Sequence, residues 1–150
     1  KIYIYGIGAS GLVALDFQYK LLRIKKEAIY NLDSHIQLAT ASIMDKEDVA
    51  IGISYSGETK EVTLAIDEAK RIGAKTIAIT KSGNNSKLSK SSDISLYIPN
   101  EEKEMRLGAI ASRMSALTLV DLLYLGIVKS DIYYTKEYLK ETRKLIKNLK

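Results

Sequence analysis

The heptapeptide Asp48-Val49-Ala50-Ile51-Gly52-Ile53-Ser54 constrains the fold more than any other stretch of the chain. Its interior is apolar at every position and shows no alternation with polar residues. A strand of that kind is buried on both faces, which requires helices above and below a parallel sheet. The rest of the chain supplies them, because short apolar runs alternate with longer helical patterns throughout. Lys1–Tyr5 reads as a first strand, followed by the glycine-rich turn Gly6–Gly11 and a helix carrying Val13, Phe17, Leu21 and Ile24 on one face. Glu27–Tyr30 reads as a weaker second strand, and Asp33-Ser34 as the cap of a helix reaching about Met44. After the third strand, Tyr55–Thr59 opens a helix that stops at Gly73. Thr76–Thr80 and Asp93–Ile98 complete five strands, joined by a polar loop. Two helices, about Met105–Leu125 and Asp131–Leu149, close the chain. The expected architecture is a doubly wound five-stranded parallel sheet of the α/β class, flanked by helices, with two C-terminal helices. At 150 residues this is one domain.

Composition excludes several classes of function. The chain has no cysteine and a single histidine, His35, so disulfides, thiolate metal sites and multi-histidine metal sites are ruled out. No metal or cofactor is expected. No apolar run approaches the roughly 20 residues that span a bilayer, so a cytoplasmic protein with no membrane partner is expected. The net charge is +5, and +4 of it falls between Lys136 and Lys150. Those basic residues alternate with Glu137 and Glu141 on an amphipathic helix, which reads as a solvated or partner-facing surface and not as a nucleic-acid contact.

Two strand ends stand out, because ligands in an open parallel sheet sit beyond the carboxyl ends of the strands. Gly6-Ile7-Gly8-Ala9-Ser10-Gly11 contains G-x-G-x-x-G, a dinucleotide fingerprint when an acidic residue ends the second strand. Asp33 comes too late for that and suits a helix cap. The other is Ser54-Tyr55-Ser56-Gly57-Glu58-Thr59, three hydroxyls around a glycine at a helix entrance. Hydroxyls and helix-start amides make a cradle for an anion, and Gly57 is expected to let the backbone approach it. Without the lysine of a Walker loop, phosphoryl transfer is not indicated. In the simplest doubly wound order the first and third strands are neighbours, so Ser10 would face Ser54 and Ser56 across one crevice sized for a small phosphorylated ligand.

Ser54-x-Ser56-Gly57-x-Thr59 behind a buried strand, with Gly6-x-Gly8-x-Ser10 upstream, resembles the SIS (sugar isomerase) domain. Further residues resemble its RpiR/MurR-type branch of bacterial transcriptional regulators: Ala14, Asp16 and Lys20-Leu21, Asp33-x-His35-x-Gln37, Ala74–Thr80, Ser112-Arg113 and Asp121-Leu122. The resemblance implies a flavodoxin-like sheet, a homodimer or homotetramer, and a phosphorylated sugar as non-covalent effector. It also implies an N-terminal helix-turn-helix domain, expected to lie outside this chain, through which DNA is read. Carried onto this sequence, the ligand contacts would be Ser10, Ser54, Ser56 and Thr59, with Gly8 and the backbone of Gly57 and Glu58. His35 stands where related isomerases place a histidine that reaches a neighbouring subunit's site. Lys25 departs from the pattern, since the family often has glycine there.

The same fold hosts aldose–ketose isomerases, so an enzyme is the alternative. That reaction needs a proton-shuttling base, for which Glu58, Glu104 and His35 are the candidates. Arg106 and Arg113 read as ligand or subunit contacts, with an internal or interfacial ion pair favoured for Arg113. Tyr133, Tyr134 and Tyr138 read as packing or subunit contacts.

Overall fold

The computed structural model describes residues 1–83, 85–99 and 109–149. Strands β1 (Ile2–Tyr5), β2 (Ala28–Ile29), β3 (Val49–Ile53), β4 (Lys75–Lys81) and β5 (Ile94–Ile98) form one all-parallel sheet in the order β2-β1-β3-β4-β5. The first and third strands are therefore adjacent, as expected, with Tyr5 paired to Gly52 at their carboxyl ends. Helices α1 (Ala9–Leu22) and α5 (Ile110–Ser130) cover one face. Helices α2 (Ser34–Ala41), α3 (Lys60–Ile72) and α4 (Lys87–Ser91) cover the other. Helix α6 (Ile132–Lys147) follows α5 at the end of the chain.

The side chains of the central strands sort by size. Ile4, Ile51, Ile53 and Ile79 point toward α1 and α5 and pack with Phe17, Leu21 and Val120. On the other face β1 places Tyr3 and Tyr5, but the positions of β3 and β4 are small: Ala50, Gly52 and Ala78 lie under Val62, Ile66 and Leu88. A Cβ built on Gly52 would stand 2.8 Å from Ile66 Cγ1 and 3.0 Å from Leu88 Cδ1. The absent side chain is what lets α3 and α4 settle close to the sheet, and this fixes the height at which α3 begins.

Three elements depart from the sequence reading. Helix α4 lies where the sequence reads as a polar loop, because five residues are too short to show a periodicity; Ser86 caps it by accepting from the Ser89 amide at 3.3 Å. Helix α2 ends at Ala41, short of Met44. Helix α5 runs on to Ser130, past the expected end near Leu125, while the expected start at Met105, the acidic Glu101–Glu104 and Arg106 lie outside the described residues. With 21 residues and a mean hydropathy of 1.4, α5 is also long and apolar enough to cross a membrane by length and composition. That corrects the expectation that nothing in the chain comes near such a length: Arg113 and Asp121 break the run without lowering its average enough. Its Ser112, Ala116 and Val120 are buried against the domain, and Asp121 pairs with Lys20 of α1, which also holds Asp16 at 2.6 Å. Its outer side leaves Met114, Leu122 and Leu125 exposed.

Lys25 explains its own departure from the family pattern. Its φ of +60° lies in the left-handed region that glycine occupies without strain. Its ammonium sits 4.6 Å from the centre of the Tyr138 ring and bonds the phenol oxygen at 3.1 Å, tying α6 to the end of α1.

At the start of β4 and β5, Asp93 and Thr76 exchange bonds. The Thr76 amide donates to Asp93 Oδ2 and the Asp93 amide donates to Thr76 Oγ1, both at 2.9 Å. The Thr76 amide, aided by Lys75, holds the Asp93 carboxyl below the usual carboxylate range despite its partial burial. A depressed carboxyl contributes stability that is complete above its unfolded value near 3.9 and lost as pH falls through the folded value. Asp93→Asn should therefore lower stability by about 1 kcal/mol at pH 7, discounted for a side chain 30% exposed. Urea midpoints of the two proteins should converge on acidification toward pH 3.

Candidate functional site

The third strand ends in Ser54, only 2% exposed, and the chain then turns through Tyr55–Thr59 into α3. The turn is held from behind by β4 and α4. Thr80 Oγ1 and the Lys81 amide both donate to the Tyr55 carbonyl at 3.2 Å, and the Leu88 amide donates to the Gly57 carbonyl at 3.0 Å. Within the turn Ser54 is the hub. Its hydroxyl lies 2.8 Å from Thr59 Oγ1 and 3.5 Å from Ser56 Oγ, and it accepts from the Gly57 amide at 3.1 Å. The three hydroxyls are thus gathered on one side of the helix entrance.

The upstream turn is fixed by a residue whose role the motif reading missed. Gln37, 2% exposed on α2, accepts from the Gly6 amide at 3.1 Å and donates to the Gly6 carbonyl at 3.0 Å and the Asn31 carbonyl at 2.7 Å. Its signal was available: a neutral amide four residues before Ala41, on the buried face of α2. Gln37→Leu should cost about 2–3 kcal/mol by leaving the Gly6 amide unpaired in the interior and its carbonyl with only the Tyr30 hydroxyl at 3.4 Å. A urea titration checks this.

The glycines of that turn have packing reasons. A Cβ on Gly6 would lie 2.9 Å from the Ser10 carbonyl oxygen, and one on Gly11 would lie 2.4 Å from the Tyr30 hydroxyl. Gly8 has φ +59° and open space around it. Asp33 caps α2 as expected, accepting from the His35 and Ile36 amides at 2.8 and 3.3 Å. Asp33 is thus engaged as a helix cap and does not act as the acidic residue of a dinucleotide fingerprint.

The two turns meet. Ser10, Ser54, Ser56 and Thr59 line one hollow of about 150 Å³ at the carboxyl ends of β1 and β3. Its apolar wall is Ile53, Ile79 and Ile98, and α5 contributes Ser112 and Arg113. Among the described residues the lining holds no carboxylate and no imidazole.

Other expected contacts sit differently. Gly57, at φ +69°, is filled from behind: a Cβ there would come within 2.2 Å of Ser86 Oγ and 2.9 Å of Thr80 Oγ1, so the missing side chain makes room for α4 and not for a ligand. Its amide donates to Ser54, and the Glu58 amide donates to Ser56 Oγ at 3.2 Å, so both amides expected to face a ligand bond inside the turn. The Glu58 carboxylate turns away to accept from the Lys87 amide at 3.0 Å. Gly8, Gly57, Glu58 and His35 are not among the lining residues, and His35 is exposed at the start of α2. Glu104 and Arg106 lie outside the described residues. Arg113, expected in an internal or interfacial ion pair, is half-buried on the wall of the hollow and makes no internal pair with a described residue.

The chain is similar to several known proteins. An HTH-type transcriptional regulator of Caldanaerobacter subterraneus, itself uncharacterized, is 43% identical over 146 residues, 97% of this chain and 51% of the relative. The chain thus spans about half the length of the curated relatives it matches. The Vibrio vulnificus NanR protein complexed with ManNAc-6P superposes with a TM-score of 0.90 at 34% identity, covering 99% of this chain and 56% of that one. A Methanococcus jannaschii protein, MJ1247, whose structure was taken to infer a 3-hexulose-6-phosphate isomerase, superposes at 0.70 with 25% identity, covering 93% and 75%. A family model described as the SIS domain matches residues 1–126. The chain belongs to the SIS domain family.

Proposed function

We propose that this chain is the effector-sensing domain of an RpiR-type transcriptional regulator of carbohydrate metabolism, binding a phosphorylated sugar non-covalently. The observation that carries the reading is the convergence of Ser10, Ser54, Ser56 and Thr59 on one hollow at the entrance of α3. Hydroxyl donors and the positive end of a helix suit a phosphate monoester. The HTH-type relative and the NanR complex support both the regulatory role and the ligand class.

An isomerase is the second reading, favoured by the likeness to MJ1247. It requires a base at the sugar carbons. Glu58 is engaged with α4, and His35 is exposed and does not line the hollow. Non-catalytic binding accords better with the described lining.

Relay to a DNA reader requires assembly. The exposed apolar residues of α1 and α5, among them Leu12, Tyr19, Met114 and Leu122, suit association with a second copy as a dimer or tetramer. Ligand closing the hollow would then bias one subunit arrangement over another.

The test is a thermal-shift panel of pentose and hexose phosphates against the purified chain. A true effector at a hundredfold excess over Kd contributes about 2.7 kcal/mol, or roughly 5–10 °C in Tm for a domain of this size. No shift with any member would defeat the sensing role. Turnover of ribulose, arabinose or fructose phosphates by the chain alone would establish the isomerase instead.

A further inference from the structure

We propose that Arg113 is the counter-charge of the bound phosphate, completing from α5 a cradle whose other members are neutral. The inference rests on the phosphosugar reading and adds the residue that gives the site its charge. A phosphate monoester carries about −1.5 to −2 at neutral pH. Ser10, Ser54, Ser56 and Thr59 offer it donors but no charge. The start of α3 offers the equivalent of about half a positive charge. Behind them stand Ile53, Ile79 and Ile98, each buried to within a few per cent, so water can screen the anion from one side only. An anion set against such a wall is costly unless it is paired.

Arg113 is the one cationic side chain among the described lining residues. It projects from the first turn of α5, beside Ser112, into the same hollow as the hydroxyls. Its charge is not committed elsewhere in the described protein. The carboxylates of Asp16 and Asp121 are held by Lys20, and that of Glu58 by the Lys87 amide. A guanidinium stays protonated and presents its N–H groups as a planar fork that matches two phosphate oxygens. The hydroxyls would then hold the phosphate from the β3–α3 side and Arg113 from the α5 side, so that one ligand group joins two elements on opposite faces of the sheet.

The experiment titrates the purified chain with inorganic phosphate and with glucose 6-phosphate, followed by calorimetry, for the wild type, Arg113→Gln, Arg113→Lys and Ser54→Ala. Arg113→Gln should weaken both probes by tenfold or more and by similar factors. Arg113→Lys should recover part of the loss, and melting without phosphate should be little changed, since no described ion pair is broken. Unchanged phosphate binding in Arg113→Gln alongside weakened binding in Ser54→Ala would overturn the role of Arg113 and leave the phosphosugar reading standing. A loss confined to glucose 6-phosphate would overturn it too, by assigning Arg113 to the sugar. Lysine proving no better than glutamine would remove the charge argument. If the wild type binds neither probe, this inference and the reading beneath it fall together.

Discussion

Ser54→Ala should abolish most ligand-dependent stabilisation while leaving a folded protein. Ser54 touches Ser56, Thr59 and the Gly57 amide, so its loss removes one donor to the phosphate and also disperses the other two hydroxyls. A hydrogen bond to a charged group is worth about 1.5–3 kcal/mol, which is roughly a 10- to 150-fold rise in Kd. The cost to the protein itself is smaller, about 1 kcal/mol, for leaving the Thr59 hydroxyl and Gly57 amide with poorer partners. The two effects separate in a thermal-shift titration: Tm without ligand falls by a few degrees, whereas the increment at a hundredfold excess over the wild-type Kd falls to between about half and a tenth of its wild-type size. Ser56→Ala, at an exposed position of the same turn, should show a weaker version. Equal increments in wild type and Ser54→Ala would remove the cradle from the binding site.

The largest loss of stability attached to the site is expected from Gly57→Ala. A residue with a side chain pays about 1–2 kcal/mol for a left-handed conformation, and the new methyl would drive into Ser86 from 2.4 Å of its Cβ. Overpacking of this kind adds about 1–3 kcal/mol, so a total near 3 kcal/mol is expected. Ser86→Gly in the same background should return the steric part and leave the conformational part. Urea denaturation of the single and double variants measures both. Because Leu88 bonds the Gly57 carbonyl, the single variant should also loosen α4 and weaken phosphate binding.

The sheet and the meeting of its first and third strands were legible because burial on both faces leaves a run such as Val49–Ile53 without alternation, and because such strands need helical crossovers. The hydroxyl turn was legible because three donors in six residues are more than a helix cap consumes. What could not be read was who stands behind each residue. Gly57 looked like a ligand contact, yet the reason for its glycine is Ser86, 29 residues later and on a helix too short to announce itself. Glu58 read as a candidate base, and only the position of Lys87 shows where its carboxylate goes. Gln37 matched a pattern without disclosing that it clasps Gly6 by both polar groups. Arg113 read as an internal or interfacial ion pair, and a sequence cannot say that α5 leans its first turn over the end of the sheet, where Arg113 lines the hollow. Local chemistry was readable in each case, whereas partners distant along the chain were not.

The unequal sizes of residues on the two sides of β3 and β4 have a consequence for how such a chain can vary. Toward α1 and α5, Ile51, Ile53 and Ile79 can lose atoms only by opening voids. Toward α3, Ala50, Gly52 and Ala78 have almost nothing to lose and cannot grow without lifting that helix and, with it, the turn that presents Ser54. Drift in one layer therefore erodes cohesion, while drift in the other misaligns the anion-holding groups before the fold itself gives way.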